Sequence, residues 1–174
     1  ASINGAIEEY ELAELIKADF RKIEKSTQTA QGIIKSVIEK SPSPLSFHAV
    51  AKDIQISVNT AKDYLEVFQN LLIMGDAPYV GLDNRVYLRK ERKYFLRDPF
   101  VAKSMAMWAD AELKKSALYE WIVQEHLLRK FGKVFYYRNG YEIDCIAGKL
   151  KIEVKVGKPH RKYPKDVMII GEND

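Results

Sequence analysis

The sequence contains one cysteine among its 174 residues. This excludes an internal disulfide framework and a zinc site built from paired cysteines. The sequence also lacks an apolar run of the ~18–20 residues that cross a bilayer, and its first residues lack the pattern of a signal peptide. The P-loop pattern GxxxxGK[ST] is absent, so no ATP site of that type is expected. These absences predict a protein of the reducing cytoplasm without a membrane-spanning segment.

The charge is nearly balanced, because the sequence has 28 lysine and arginine residues and 24 acidic residues, which gives a net charge of +4. The basic residues are nevertheless concentrated in two stretches. Residues 85–97 hold six basic residues against one acidic residue, and residues 149–166 hold seven against two. Clusters of this kind either neutralise nucleic-acid phosphates or form an ordinary solvated surface.

The first half of the chain has the periodicity of short helices followed by a hairpin. Apolar residues at helical spacing predict four helices, at 4–25, 30–40, 47–54 and 58–74. The first two are separated by a polar break, and Ser46 is expected to cap the third. Two short strands, 77–80 and 85–89, are expected next. This order is that of a winged helix-turn-helix, which we predict as a domain over residues 1–97.

The helix predicted at 58–74 is the one that would normally read DNA in such a domain, but its composition does not favour that role here. Its exposed face carries Asn59, Lys62, Asp63 and Glu66, a poor match to a phosphate-lined groove. The basic wing offers better phosphate contacts, namely Arg85, Arg89, Lys90 and Lys93. The alternative is a structural spacer with the same shape.

The second half, residues 98–174, changes from helices to strands. Asp98-Pro99 predicts a helix over 99–109, since it supplies an N-cap and a proline at the first helical position. Another helix is expected from Ser116 to about Phe131. Strands are predicted at 133–138, 141–147, 150–156 and 167–170. The expected fold class is therefore α+β, with two small domains.

A two-residue turn at Gly148-Lys149 would set the register of the strands on either side of it. Asp144 would then face Glu153, on a polar face shared with Glu142 and Lys155. Opposed carboxylates are destabilising by up to ~1 kcal/mol, unless a cation such as Mg²⁺ lies between them. Lys155 would orient a water or stabilise developing negative charge. The alternative is an ordinary charged sheet face neutralised by nearby lysines.

The helix that ends near Phe131 contributes a further acid. Glu120 shares a face with Val123, Gln124 and Leu127, which places it at the edge of the core, where an acid usually has a partner. Glu125 points elsewhere and is expected to be solvated.

These residues resemble the PD-(D/E)xK nuclease superfamily, which includes Holliday-junction resolvases and restriction enzymes. The resemblance is carried by Glu120, by Tyr141-Glu-Ile-Asp144 and by Ile152-Glu-Val-Lys155. It implies a restriction-endonuclease-like domain with an α-β-β-β-α-β core. It also implies that Asp144 and Glu153 are metal carboxylates, Lys155 the motif lysine and Glu120 the helix glutamate.

The sequence departs from that superfamily at the second core helix, which should lie between Val156 and Val167. Pro159 and Pro164 predict that no regular helix forms there. The basic residues that would substitute for those of the helix, from a loop, are Lys158, Arg161 and Lys162.

Nearly the whole chain also looks like the C-terminal region of prokaryotic, especially archaeal, AAA+ ATPases. In those proteins a P-loop ATPase module precedes a winged helix and a nuclease-like domain. The resemblance is carried by Lys93-Tyr-Phe-Leu-Arg-Asp98, Ala117-Leu-Tyr-Glu120 and Tyr136-Tyr-Arg138, together with the two acidic motifs above. It implies that this chain works with such an ATPase module as its partner.

Two functions follow as expectations. The first is a Mg²⁺- or Mn²⁺-dependent DNA endonuclease that uses Glu120, Asp144, Glu153 and Lys155. DNA would be held by Arg85, Arg89, Lys90, Lys93, Lys158, Arg161 and Lys162. The second is a non-catalytic module that docks on DNA or protein through a degenerate nuclease fold. A structural domain whose basic face meets an acidic protein is a third interpretation.

Overall fold

The computed structural model describes residues 8–157 and 163–171, which form six helices and two β-sheets. The class is therefore α+β, as expected. The elements in chain order are α1 (Glu9–Lys22), α2 (Thr27–Lys40), α3 (Phe47–Ile54), α4 (Val58–Asn70), β1 (Met74–Pro78), β2 (Arg92–Leu96), α5 (Pro99–Ala109), α6 (Lys115–Phe131), β3 (Phe135–Asn139), β4 (Tyr141–Ala147), β5 (Leu150–Val154) and β6 (Met168–Ile170).

Serine N-caps begin three of the first four helices. The Oγ atoms of Ser26, Ser46 and Ser57 each accept a hydrogen bond from a backbone N–H in the first turn of the helix that follows. The cap at Ser46 was predicted. The polar segment 26–29, predicted to be a break, is instead the start of α2, because Ser26 satisfies an N–H group that would otherwise be unpaired.

The two-stranded sheet differs from the predicted hairpin, whose strands were 77–80 and 85–89. β1 and β2 pair antiparallel through Met74 with Leu96 and Ala77 with Lys93. The side chains of residues 93–96 are buried, whereas residues 82–91 are exposed. The alternating segment 85–89 is therefore not covered by the core, and it forms a loop with a Val80–Val86 bridge. We call residues 79–91 the basic loop.

The second sheet has the strand order β3-β4-β5-β6. Its first three strands are antiparallel, and β6 lies parallel to β5. The turns at Asn139-Gly140 and Gly148-Lys149 were predicted, and both glycines have positive φ. β5 ends at Val154, two residues before its predicted end, and residues 164–167 form a turn that leads into β6.

The helices α5 and α6 connect the two halves of the chain. α5 is capped by Asp98 as predicted, and it packs against α1 and α2. α6 packs against β4 and β5 and also touches β2. One apolar core runs through both halves, and the division at residue 97 stays a prediction. No helix in the described residues has both the length and the apolar character that a membrane crossing requires.

Candidate functional site

A buried lysine on β2 lies at the centre of three carboxylates. The Lys93 side chain is 2% exposed. Its Nζ lies 2.8 Å from Oε1 of Glu120, 2.8 Å from Oε1 of Glu142 and 2.6 Å from Oδ1 of Asp144. We call these four residues the carboxylate cluster. It joins β2, α6 and β4, which come from both halves of the chain.

The local structure explains why the acids of this cluster face Lys93. Glu120 shares the inner face of α6 with Gln124, whose Nε2 donates to Oε1 of Glu120 at 2.9 Å. The β4–β5 pairing runs from Ala147 with Leu150 to Cys145 with Ile152. Just beyond it, Oδ2 of Asp144 accepts a hydrogen bond from the backbone N of Val154 at 2.9 Å.

The charge of the cluster is fixed by its surroundings. Burial lowers the pKa of Lys93, but the charges of Glu120, Asp144 and Glu142 outweigh burial and raise that pKa well above its usual value. Lys93 is therefore a permanent ammonium. Burial raises the pKa of Glu120 well above its usual value, against the lowering effect of Lys93.

Glu153, predicted to face Asp144 across a metal ion, has different partners. It is 1% exposed, and its Oε1 accepts hydrogen bonds from Nζ of Lys155 and from the hydroxyl of Tyr163. Its Oε2 has no hydrogen-bond partner among the described residues. Burial raises the pKa of Glu153, and the charge of Asp144 raises it further.

The predicted catalytic residues are therefore brought to one region but divided into two sets. Asp144 and Glu120 contact Lys93, whereas Lys155 contacts Glu153. The three carboxylate oxygens of the cluster converge on an ammonium, which occupies the point where a metal ion would bind them. As the described residues are arranged, with Lys93 in place, no group of three or more acidic, histidine or cysteine side chains could hold a metal ion. As arranged, these residues do not fit Mg²⁺.

Two sequence expectations about charged residues need correction. Lys93 was predicted to contact DNA, but it lies inside the protein because β2 carries it into the core. Glu125 was predicted to be solvated, but it is buried. Its carboxylate accepts two hydrogen bonds from Arg97, each 3.0 Å long, and one of 2.6 Å from Arg129.

The basic loop carries the other predicted DNA contacts on the surface. Arg85, Arg89 and Lys90 are exposed, and the Arg85 side chain is 83% exposed. The base of the loop is fixed to β3, since the backbone N of Val80 donates to the carbonyl of Tyr136 at 2.9 Å. Lys158, Arg161 and Lys162, predicted to contact DNA as well, lie outside the described residues.

A groove of about 350 Å³ lies between the basic loop and the start of α3. Its cationic or polar lining includes Ser46, His48, Arg89, Lys90 and Arg92, and its aromatic lining includes Phe47 and Tyr94. The Arg92 guanidinium lies 5.9 Å from the centre of the Phe47 ring and 2.7 Å from Oδ2 of Asp76. The groove thus combines positive charge with aromatic surface, as sites for nucleotides do.

Sequence reasoning missed the roles of Lys93, Glu142 and Tyr163. The one available signal was a lysine next to the apolar run Tyr94-Phe-Leu96, which suits a buried strand better than a wing. Tyr163 gave no signal, because its contact with Glu153 depends on the path of the chain before β6.

The comparisons with known proteins give one match. Residues 4–112, more than half of the chain, match the model of a family described as a domain of unknown function, DUF8612. No curated protein and no solved structure matches the chain. The matched region covers α1 to α5, including the basic loop and Lys93. The chain belongs to the DUF8612 family.

Proposed function

We propose that this chain is a non-catalytic DNA-docking module that binds the nucleic-acid backbone through its basic loop. The observation that carries the proposal is the exposure of Arg85, Arg89 and Lys90 beside a cationic, aromatic-lined groove. Lysine and arginine side chains that reach solvent can neutralise phosphates and release counterions. The groove adds the half-buried ring of Phe47, on which a base can stack.

The element order supports interpreting the first half as a winged helix. Helices α2, α3 and α4 are followed by the β1–β2 sheet, and the basic loop connects its two strands. α4 itself is a weak candidate for the DNA contact, because Lys62 pairs with Glu66 at 3.6 Å on its exposed face. The loop is therefore the contact that we propose.

The second half supports a nuclease-like sheet that has a structural role. A helix precedes three antiparallel strands, and a parallel strand follows them. Glu120, Asp144 and Glu153 are all buried, and the first two are held by Lys93. A scissile phosphate would need access to these carboxylates. Under this proposal the sheet supports the base of the basic loop, and an AAA+ ATPase module in the same protein is the proposed partner.

The test is a DNA-binding titration by fluorescence anisotropy with a labelled duplex and a labelled single strand. The variant Arg89→Ala/Lys90→Ala should weaken binding by on the order of tenfold or more. It should also flatten the dependence of log K on log salt, by ~0.9 for each phosphate that the variant no longer neutralises. No base preference is expected.

The matched control is Arg21→Ala/Lys22→Ala, which removes the same charges from exposed positions on α1. This control should bind DNA like the wild type. Equal losses in both variants would indicate a general charge effect, and the loop would not be the contact. If the chain does not bind DNA but captures an acidic protein that competitor DNA does not displace, the DNA-docking proposal is wrong and the partner is a protein.

A second candidate is a metal-dependent DNA endonuclease. The observation that favours it is the buried Oε2 of Glu153, which lacks a hydrogen bond among the described residues although Asp144 is near enough to raise its pKa. An unsatisfied buried carboxylate oxygen is costly. Metal-dependent cleavage of branched or linear DNA that Asp144→Asn abolishes would select this function over docking.

A further inference from the structure

We infer that Lys93 is the permanent cation of the carboxylate cluster and that it excludes the divalent metal ion which the acidic motif leads one to expect. This inference is independent of the proposed DNA docking, since it concerns the interior of the protein. It assigns the three acids a role as ligands of an internal ammonium.

The geometry carries the inference. Three oxygens from Glu120, Glu142 and Asp144 lie 2.6–2.8 Å from one nitrogen atom. Oxygen ligands of Mg²⁺, Mn²⁺ or Ca²⁺ lie at ~2.0–2.6 Å from the ion. An ammonium and a divalent ion would therefore occupy nearly the same point, so the two cannot be present together.

The origin of Lys93 adds a second argument. The acids lie on α6 and β4, whereas the cation comes from β2, which belongs to the other, two-stranded sheet. Two buried carboxylates, Glu120 and Asp144, meet the partly exposed Glu142 at this point, and buried negative charge needs a positive charge to balance it. Packing of β2 against α6 supplies that charge within the same chain, and the fold needs no ion from solution at this point.

The inference predicts that removal of the lysine creates a metal site. Lys93→Ala removes the ammonium and leaves space, whereas Lys93→Met removes the charge and fills most of the space. Mn²⁺ should bind Lys93→Ala at least about tenfold more tightly than it binds the wild type, because carboxylate oxygens are good ligands for it. Lys93→Met should gain much less, and Lys93→Ala/Asp144→Asn should lose the gain.

The measurements are calorimetric titration with Mn²⁺ and the shift of the thermal midpoint that Mn²⁺ causes. A ligand that binds only the native state raises the midpoint. Mn²⁺ should raise it in Lys93→Ala and leave it unchanged in the wild type. If Lys93→Ala is unfolded in a chelator, folding on addition of Mn²⁺ is the expected result, since metal binding then supplies the missing charge.

Three outcomes would overturn the inference. One is Mn²⁺ binding to the wild type at a site that Asp144→Asn removes, because Lys93 would then not exclude the metal. Another is a folded Lys93→Ala protein that gains no Mn²⁺ binding. The last is a Lys93→Ala protein that Mn²⁺ cannot fold, because a divalent ion would then be unable to take the place of the ammonium.

Discussion

Glu125 lies on α6 with its carboxylate turned into the protein, where Arg97 and Arg129 donate to it. Arg97 offers both a side Nε and a terminal Nη, so the pair has the two-pronged geometry that makes arginine–carboxylate contacts strong. Arg97 directly follows β2 and Glu125 belongs to α6. The contact therefore fixes the end of the strand against the helix.

Replacement of Glu125 by glutamine should lower the free energy of unfolding by about 2–3 kcal/mol, because it leaves a partly buried arginine without its counter-charge. The control is Glu66→Gln on α4, because the partner of Glu66, Lys62, is exposed. This substitution should lower the free energy of unfolding by less than ~1 kcal/mol. Urea unfolding of both variants measures the difference. Equal effects of the two substitutions would contradict the assignment.

At the scale of residues, the sequence predicted the position of Glu120 near the core. It did not predict which residues the buried charged side chains contact. Glu120 was expected at the edge of the core because its helix face is apolar, and it is buried. Glu125 was misplaced, because the apolar spacing of α6 does not show that Arg97 lies beside it. Lys93 was misplaced for a similar reason, since its three partners lie 27 or more positions further along the chain.

At the scale of elements, one carboxylate makes two polar contacts between α2 and α3. Asp53 on α3 accepts a hydrogen bond from the hydroxyl of Ser36 at 2.6 Å and forms an ion pair with Lys40, both on α2. Burial tends to raise the pKa of Asp53, but these two contacts outweigh it and lower the pKa below its ordinary value of 3.8.

This contact should make the stability of the α2–α3 pair depend on pH. Because the pKa of Asp53 is lower in the folded than in the unfolded state, its contribution is fully present above about pH 4 and is lost as the pH falls through the folded pKa. Asp53→Asn should therefore cost about 1 kcal/mol near pH 6 and clearly less near pH 3.

Urea titrations at the two pH values measure that difference. Asp63→Asn, at an exposed position on α4, is the control, and its effect should stay within about 0.5 kcal/mol at both pH values. A cost of Asp53→Asn that is the same at pH 3 and pH 6 would show that the ion pair with Lys40 contributes nothing.

Element boundaries were predictable where a local contact sets them. Ser46 and Asp98 accept hydrogen bonds from the helices that they begin, and both were recognised as caps. The strands of the first sheet were not predictable in the same way. Apolar and polar residues alternate in segment 85–89 as they would in a strand. The strands that pair and pack on the core are instead Met74–Pro78 and Arg92–Leu96. That core is formed by residues distant in sequence.

At the scale of the whole molecule, several contacts join the two halves of the chain. α5 packs against α1 and α2, the backbone of Val80 bonds to that of Tyr136, and Lys93 reaches into α6 and β4. The apolar core is likewise continuous from α1 to β5. Loss of either half would expose the core of the other, so the described chain should unfold in one cooperative step.

The chain's two tryptophans allow this to be measured, because Trp108 lies on α5 and Trp121 on α6. Trp121→Phe leaves Trp108 to report on the packing of α5 with α1 and α2, and Trp108→Phe leaves Trp121 to report on α6. Within each variant, the midpoint from fluorescence should coincide with the midpoint from far-ultraviolet circular dichroism. Each variant serves as its own control, so a change in overall stability caused by the substitution does not enter the comparison. Midpoints that separate within one variant would mean that the halves unfold independently and that the contacts of Lys93 do not couple them.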